Sequence, residues 1–399
     1  MKKILYISTS FFRNESASIR NISLVNGLVE NNIGIDILTL DFDENLEDKF
    51  LLECIDERIQ IKKIPIYKFN KIFKNLKKIN KNKKKESFIK KIVLTLKNVL
   101  KEILFFPDVF CEGIKESKKI YLEKNYDFII SSSDSKTSHF IAEEIIRKNF
   151  LNKVKWVQIW GDPWANDIGL KNKNFILKKR IEFNERELLF KADKIFYLSE
   201  ITAKRIKDKY PILDKKINIL GRSYLKKVVS KNSGDQFIFS YTGTISNRNL
   251  NPILEAIYNY NKLKDKKIIL NFFGINEKEK REIKKYDFVK IYERVSFEKI
   301  LEIYSKSDVL IYIDNLYNSS QIPGKIYDYF GTNKVILALT EGKETQKFLK
   351  KFERVEIYEN NLEKIILEEV LNKIGKYEPL KNFSPKNVAK DFLNKIDNL

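Results

Sequence analysis

The sequence is poor in the residues that build disulfide frameworks and metal centres. Its 399 residues include two cysteines, Cys54 and Cys111, and a single histidine, His139. Neither cysteine belongs to a motif, so a disulfide scaffold is excluded, and we expect both thiols to stay reduced in the cytoplasm. Because histidine and cysteine form no cluster at metal-ligand spacing, we expect no metal cofactor.

Long apolar runs are also missing. The first residues, MKKILYISTSFFRNE, carry two lysines, but their apolar run is too short for the core of a signal peptide. No later stretch approaches the length of a membrane span. The sequence therefore predicts a protein that is made and kept in the cytoplasm.

A glycine-rich dinucleotide fingerprint is absent from the first predicted strand–helix–strand unit. That unit comprises the strand Lys3–Ile7, a helix beginning near Ser16 or Ser18, and the strand Ile35–Leu40. Enzymes that bind NAD carry the fingerprint at this turn, so the sequence disfavours a dehydrogenase.

Strands alternate with helices in two series, and the chain is too long for one ordinary domain. The polar stretch 222–235 separates the series and is predicted to be the linker. We expect an α/β protein with two Rossmann-like parallel-sheet domains that face each other across a substrate cleft. The first covers 1–221 and the second 236–380, and a terminal helix in 381–399 packs back on the first.

The formal charge of +22 is concentrated in one segment. Between Lys62 and Lys101 there are fifteen lysines and one acidic residue, Glu86, interleaved with apolar residues at helical spacing. Basic amphipathic helices suit an anionic membrane surface. A solvated surface or a nucleic-acid patch are the alternatives, although no nucleic-acid recognition motif accompanies the segment.

The most informative stretch lies between two predicted buried strands, Val309–Ile313 and Val335–Leu339. Pro323 and Gly324 open a short helix that places Lys325 and Asp328 on one face. In an open parallel sheet, ligands bind beyond the carboxyl ends of the strands. A lysine there suits a phosphate and a carboxylate suits the hydroxyls of a ribose, so we predict a nucleoside diphosphate site.

The chain carries a series of short motifs along some three hundred residues. In the order and spacing of these motifs it resembles the GT-B glycosyltransferases, especially the family-4-like enzymes of bacterial surface polysaccharide synthesis. The matching residues are Ala17-Ser18-Ile19-Arg20, Pro107-Asp108, Tyr126 to Ser132, Asp162-Pro163-Trp164, Tyr241-Thr242-Gly243-Thr244 and Ile322-Pro323-Gly324-Lys325 with Asp328-Tyr329.

The resemblance implies a donor site in the second domain. Lys325 and Arg248 would contact the diphosphate and stabilise the leaving group, and so are the expected catalytic residues. Asp328 stands where relatives usually carry the glutamate that binds the donor ribose. Gly243 and Thr244 would let backbone amides approach the phosphates, with Gly324 opening the helix beside them.

The sugar end of the donor site departs from the family pattern. Many relatives carry a second glutamate eight positions before the first, and Ser320 stands there instead. Ser319, Ser320 and Gln321 are expected to supply hydrogen bonds to the sugar.

On the acceptor side, the resemblance points to residues of the first domain near the expected cleft. Asp162 lies between two indoles that offer faces for a sugar ring, although a structural turn with buried indoles is an equal alternative. For His139 the alternative is a helix-cap or packing role, and for Asp134 it is a place in the approach to the same helix. For Arg20 the alternative is a solvated or locally paired side chain. The acceptor-side candidates are Arg20, Asp134, His139, Asp162 and Trp164.

The sequence thus predicts a metal-independent, retaining hexosyltransferase. It would move a sugar from a nucleotide donor to a glycan carried on a polyprenyl diphosphate, in capsule or O-antigen synthesis at the inner face of the membrane. Three alternatives stay open: a non-catalytic GT-B protein that binds sugar nucleotides or partners, a UDP-sugar epimerase of the same fold, and a nucleic-acid binder.

Overall fold

The computed structural model describes residues 1–71, 105–133, 135–149, 151, 153–161, 164–165, 170, 174–231, 234–245, 248–275, 283, 285–314, 322–359 and 364–397. The chain divides into two compact units. The first comprises Met1–Gly221 with Val388–Leu399, and the second comprises Arg222–Asn387. Several predicted features lie outside the described residues: Asp134, Asp162, Ser319, Ser320, Gln321 and the basic segment from residue 72 onward.

A parallel sheet of seven strands forms the centre of the first unit. In chain order the strands are β1 Lys3–Ile7, β2 Gly34–Asp41, β3 Gln60–Pro65, β4 Phe128–Ser133, β5 Lys155–Trp160, β6 Lys194–Tyr197 and β7 Ile217–Ile219. Their order in the sheet is β3-β2-β1-β4-β5-β6-β7. Neighbouring strands β1 and β4 are therefore not consecutive, and the direction of winding reverses between them.

Helices link these strands as crossover connections. Those within the described residues are α1 Ser16–Glu30, α2 Lys49–Glu53, α3 Glu112–Ser117, α4 Thr137–Lys148, α5 Phe175–Lys191 and α6 Glu200–Lys209. The last four residues of β1 and all of β4 are buried, as strands covered on both faces must be.

The second unit repeats the arrangement with six parallel strands. They are β8 Phe237–Thr242, β9 Ile268–Phe273, β10 Val289–Tyr292, β11 Val309–Ile313, β12 Val335–Leu339 and β13 Val355–Tyr358. Their order is β10-β9-β8-β11-β12-β13, so winding reverses between β8 and β11. The described helices of this unit are α7 Asn251–Leu263, α8 Phe297–Lys306, α9 Gly324–Phe330, α10 Lys343–Leu349 and α11 Leu367–Leu371.

These two sheets confirm the predicted pair of parallel α/β units. The last helix, α12 Pro385–Ile396, contributes its residues from Val388 onward to the first unit, where Phe392 packs on Phe196 at 4.7 Å between ring centroids. The stretch 222–235, predicted as the linker from its polar composition, begins with buried residues of the second unit, among them Arg222 and Tyr224.

Candidate functional site

Lys325 lies where the winding of the second sheet reverses. It is the second residue of α9, whose Ile326, Tyr329 and Phe330 are buried and hold the helix against the sheet. The Lys325 ammonium donates a hydrogen bond to the carbonyl of Thr242, at the carboxyl end of β8, over 2.6 Å. It also lies 4.6 Å from the centroid of the Tyr241 ring. Ligands of open parallel sheets bind at this kind of switch point.

Gly243 makes the approach of Lys325 possible. Its φ of +128° lies in a region that residues with a Cβ rarely adopt, and an added Cβ would stand 2.8 Å from the Lys325 Nζ. The amide of Gly243 donates to the carbonyl of Phe273 over 2.8 Å. This corrects one detail of the sequence-based account, because that amide is already used within the sheet and does not point to a ligand.

Arg248 provides a second cation beside Lys325. Its Nε donates to the carbonyl of Ile313 over 3.0 Å and its Nη1 to that of Thr244 over 2.8 Å. The side chain thereby joins the turn after β8 to the end of β11. The Thr244 carbonyl also accepts the Tyr241 hydroxyl over 2.8 Å, so Thr244 contributes its carbonyl to holding the turn.

Asp328 is buried one helical turn after Lys325. Burial raises the pKa of its carboxyl to about 6, and the positive charges of Arg222 and Lys325 act in the opposite direction. Its Oδ1 has no hydrogen-bond partner among the described residues. A buried carboxylate oxygen that lacks a partner is suited to accept hydrogen bonds from ligand hydroxyls.

The pKa of Lys325 is lowered to about 7, first by burial and then by the charge of Arg248, while Asp328 acts to raise it. The two cations therefore repel each other in the unliganded protein. An anion bound between them would relieve that repulsion and restore the ordinary protonation of the lysine.

Arg222 was missed by the sequence-based reasoning. It is buried in the second unit, and its charge acts on Asp328. Nothing in the sequence distinguishes it, because it stands in a polar stretch about one hundred residues before Asp328 and only the fold brings the two together.

The first unit carries a network of polar side chains at its own switch point, between β1 and β4. Arg20 and Asn21, on α1, are buried there. The Arg20 Nη2 donates to the Ser132 hydroxyl over 3.1 Å. The side-chain Nδ2 of Asn21 donates to the Ser8 hydroxyl over 3.0 Å and to the carbonyl of Ser10 over 2.7 Å. Arg20 is thus locally bonded, which was the alternative to its acceptor-side role.

His139 is fully buried at the start of α4. Its Nδ1 shares a hydrogen bond of 2.7 Å with the Ser131 hydroxyl, and its ring centroid lies 4.4 Å from that of Trp160. Burial, with the nearby charge of Lys136, holds the pKa of His139 well below its usual value. The ring is therefore neutral, and its Nε2 has no hydrogen-bond partner among the described residues.

Trp164 is buried rather than open to a sugar ring. Its indole packs on Phe106 and Phe140, with centroids at 5.7 Å and 6.1 Å. The amides of Trp164 and Ala165 donate to Oε1 of Glu185, over 3.2 Å and 3.0 Å. Glu185 therefore holds the backbone at Trp164 and Ala165, just after the predicted Asp162, which lies outside the described residues.

Glu185 was also missed, although the sequence contains a signal for it. On α5 it follows the buried Ile181 by four residues and precedes the buried Leu188 by three, so it lies on the apolar face of the helix. An acidic residue on such a face indicates a specific partner. Burial raises the pKa of Glu185, and its Oε2 has no hydrogen-bond partner within the described part of the chain.

The described residues contain no group of three or more histidine, cysteine, aspartate or glutamate side chains placed to hold a metal ion. Among the same residues, no helix has the length and apolar character needed to cross a membrane.

No protein-family model matches the chain, and no curated protein sequence does. Solved structures are similar in fold. TarM is 14% identical with a TM-score of 0.61, over 99% of this chain and 98% of TarM. The UDP-GlcNAc 2-epimerase from Neisseria meningitidis, bound to UDP-GlcNAc, is 13% identical with a TM-score of 0.53 and full coverage of both chains.

The lipopolysaccharide outer core galactosyltransferase WaaB, in its apo form, is 12% identical with a TM-score of 0.51, over 99% of each chain. These similarities extend over nearly the whole length of every protein compared. The chain therefore has the GT-B fold, which glycosyltransferases and UDP-GlcNAc 2-epimerases share.

Proposed function

We propose that this protein is a glycosyltransferase that takes its sugar from a nucleoside diphosphate sugar. The observation that carries the proposal is the meeting of Lys325, Arg248 and Gly243 at the switch point of the second sheet. Two cations with a glycine turn between them suit a diphosphate, and the buried carboxylate of Asp328 suits the ribose next to it. The UDP-GlcNAc bound to a protein of the same fold supports this ligand class.

The proposed reaction breaks the bond between the anomeric carbon of the sugar and the diphosphate oxygen. Negative charge develops on that oxygen, and the ammonium of Lys325 and the guanidinium of Arg248 would stabilise it electrostatically. The acceptor hydroxyl forms the new bond to the anomeric carbon and gives up its proton to the departing diphosphate. Attack on the face that the diphosphate leaves retains the anomeric configuration, as the family resemblance implies.

The resemblance to the GT-B glycosyltransferases and the basic segment suggest the acceptor, the product and the place of action. The acceptor would be a glycan on a polyprenyl diphosphate, the product a capsule or O-antigen precursor, and the sugar a hexose. Ser319, Ser320 and Gln321 would contact the sugar, and Asp134 and Asp162 the acceptor, without a metal. The basic segment 62–101 would hold the protein at an anionic membrane on the cytoplasmic side, rather than bind nucleic acid.

Substitution of Lys325 tests the proposal. We expect Lys325→Ala to lower transfer by a factor of hundreds or more, because a buried cation aimed at developing charge is worth at least that much in related chemistry. Release of UDP from UDP-GlcNAc and other UDP-sugars, with lipid extracts as acceptors, would be the assay. Lys262→Ala, which removes an exposed lysine from α7, is the matched control. Near-normal turnover in Lys325→Ala would contradict the proposal.

An epimerase is the second candidate, because proteins with that activity have the same fold. It would act on a free UDP-sugar and form a second sugar without an acceptor. Incorporation of deuterium from heavy water into the sugar of a free UDP-sugar, followed by NMR, would indicate the epimerase and so separates the two candidates. Conversion of UDP-GlcNAc in the absence of an acceptor would favour the epimerase. Neither conversion nor transfer, with UDP still bound, would favour a non-catalytic protein.

A further inference from the structure

The helix α5 exposes an unusual set of side chains. Four of its exposed residues are large and apolar: Phe175, Ile176, Phe183 and Phe190, with 70%, 73%, 62% and 39% of their surface accessible. The other four are the cations Lys179, Arg180, Arg186 and Lys191. The acidic residues at the surface of α5 are the half-buried Glu182 and Glu187, and Glu182 pairs with Lys179 over 3.5 Å. Apolar and basic side chains therefore predominate on this surface.

These residues share one face of the helix. Ile176, Lys179, Phe183, Arg186 and Phe190 follow one another at steps of three or four, which is the spacing of a single helical face. The opposite face carries the buried Ile181, Leu188 and Leu189 and packs on the first unit. The exposed stripe from Ile176 to Phe190 is about 21 Å long, since an α-helix rises about 1.5 Å per residue.

The cations of this face lie beside its aromatic rings. Lys179 is 5.6 Å from the centroid of Phe175, and Arg186 is 5.5 Å from that of Phe190. Rings and cations are therefore side by side at the surface. Side chains arranged in this way can insert rings among lipid acyl chains while the cations remain at the level of the phosphates.

We propose that the exposed face of α5 docks on an anionic lipid bilayer. The charge of this face distinguishes between the two partners considered, an anionic bilayer and a second copy of this chain. A second copy of this chain would bring eight exposed cations together against four partly exposed carboxylates, those of Glu182 and Glu187 on each helix. Positive charge would predominate on both sides of the interface and disfavour association. An anionic bilayer complements both components, because it accepts apolar rings and attracts lysine and arginine.

This docking would orient the first unit. The helix follows β5, so its first residues lie at the edge of the sheet formed by the carboxyl ends of the strands. Arg180 lies 3.8 Å from the ring of Phe106, which packs on Trp164 of the predicted acceptor loop. The bilayer would therefore lie next to that loop. The inference goes beyond the proposed function, which requires no lipid contact at α5.

Flotation with vesicles of equal parts phosphatidylglycerol and phosphatidylcholine tests the inference, with phosphatidylcholine alone for comparison. We expect Phe183→Glu to weaken binding to the anionic vesicles by about tenfold or more, since it loses an inserted ring and adds a repelled charge. Arg186→Gln is expected to weaken it by about threefold to fivefold, and high salt should reduce its effect.

Two controls match these variants on the second unit. Leu263→Glu changes an apolar residue that is 82% exposed at the end of α7, and Lys262→Gln removes the neighbouring exposed cation. We expect both to bind vesicles like the unmodified protein. All variants change exposed side chains, and circular dichroism with urea unfolding would show that they remain folded, whether or not the docking inference or the proposed function holds.

Phe183→Trp gives a readout at the site itself. The three native tryptophans are buried, so an indole at residue 183 should shift its emission to shorter wavelength with anionic vesicles and be quenched by brominated lipids. Unchanged emission, or equal flotation of Phe183→Glu and Leu263→Glu, would overturn the inference. A change in solution mass caused by Phe183→Glu, without vesicle binding, would also overturn it and point to a protein interface.

Discussion

At the scale of single residues, Gly243 carries two separate requirements. Its positive φ favours glycine, and the Lys325 ammonium occupies the space that a Cβ would need. The chain offers comparisons that separate the two. Gly375 has a positive φ of +79° with open space around it, and Gly234 has neither a positive φ nor a neighbour within 4 Å.

We therefore expect Gly243→Ala to weaken UDP binding by about tenfold or more, because the lysine must move. Gly375→Ala should cost about 1 kcal/mol of stability from strain alone and leave UDP binding unchanged. Gly234→Ala should affect neither. Titration calorimetry with UDP and urea unfolding would measure both quantities. Equal UDP affinity in Gly243→Ala and Gly234→Ala would contradict the role given to Gly243.

The protonation of Lys325 predicts how donor affinity depends on pH. Its pKa of about 7 in the free protein means that the ammonium loses its proton as the pH rises through that value. UDP affinity should therefore fall above about pH 7, since the neutral amine attracts the diphosphate less. The arginine of Lys325→Arg keeps its charge throughout this range, so the fall in UDP affinity should be absent from this variant. Ionisation of UDP itself affects both proteins equally and cancels when they are compared.

The same shift has the opposite effect on stability without ligand. Between about pH 7 and pH 10.5, which is the ordinary pKa of a lysine, the unfolded chain binds a proton at Lys325 that the folded protein has lost. The free energy of unfolding should thus rise with pH across this window. A UDP affinity that does not change with pH in the unmodified protein, or changes equally in Lys325→Arg, would contradict this account.

His139 allows an unusually clear test because it is the only histidine in the chain. Its pKa lies well below 6.5 in the folded protein, so the two carbon-bound protons of its ring should not titrate in that region of an NMR pH series. The unfolded chain takes up a proton near 6.5 and the folded protein does not, so stability should fall as the pH drops below that value. A titration midpoint near 6.5 in the folded protein would show that the ring is accessible.

At the scale of secondary-structure elements, the site depends on how α9 is fixed to the sheet. The Tyr329 hydroxyl donates to the carbonyl of Ile311 on β11 over 3.0 Å, in the interior. On the same side, Tyr304 approaches the Thr242 hydroxyl only at 3.5 Å. The two tyrosines pack edge to face with centroids 5.3 Å apart, so they differ chiefly in the strength of their hydrogen bonds.

Tyr329→Phe should therefore lower the free energy of unfolding by about 1 to 2 kcal/mol, because it leaves a buried carbonyl with one hydrogen bond fewer. Tyr304→Phe should lower it by less. Urea unfolding of both variants would measure the difference. A larger loss in Tyr304→Phe than in Tyr329→Phe would mean that α9 is held by packing rather than by this bond.

The same scale shows what could be predicted from the sequence. The strands β1, β11 and β12 were predicted with the observed bounds, because their runs of apolar residues have clear limits. The strands β3 and β13 were not predicted. In β3, two adjacent lysines follow one apolar residue and half of the six positions are exposed, as an edge strand allows. In such strands the apolar pattern is too weak to be recognised.

At the scale of the whole molecule, the sequence predicted what contiguous motifs encode. Lys325 and Asp328 belong to one motif, and Gly243 to another, and their fixed place after parallel strands brings them to one edge of the sheet. Arg222 and Glu185 could not be assigned in the same way. Each acts through a partner distant in sequence, and only the tertiary structure decides which buried charges meet.

The central claim of this account is that Lys325 and its neighbours bind the diphosphate of a sugar nucleotide. Titration calorimetry of UDP tests it most directly, with the unmodified protein, Lys325→Ala and the exposed-lysine control Lys262→Ala. We predict that the unmodified protein and Lys262→Ala bind UDP equally, and that Lys325→Ala binds it about tenfold to one hundredfold more weakly. Failure of the unmodified protein to bind UDP, ADP and GDP, or equal UDP binding by Lys325→Ala, would contradict the claim.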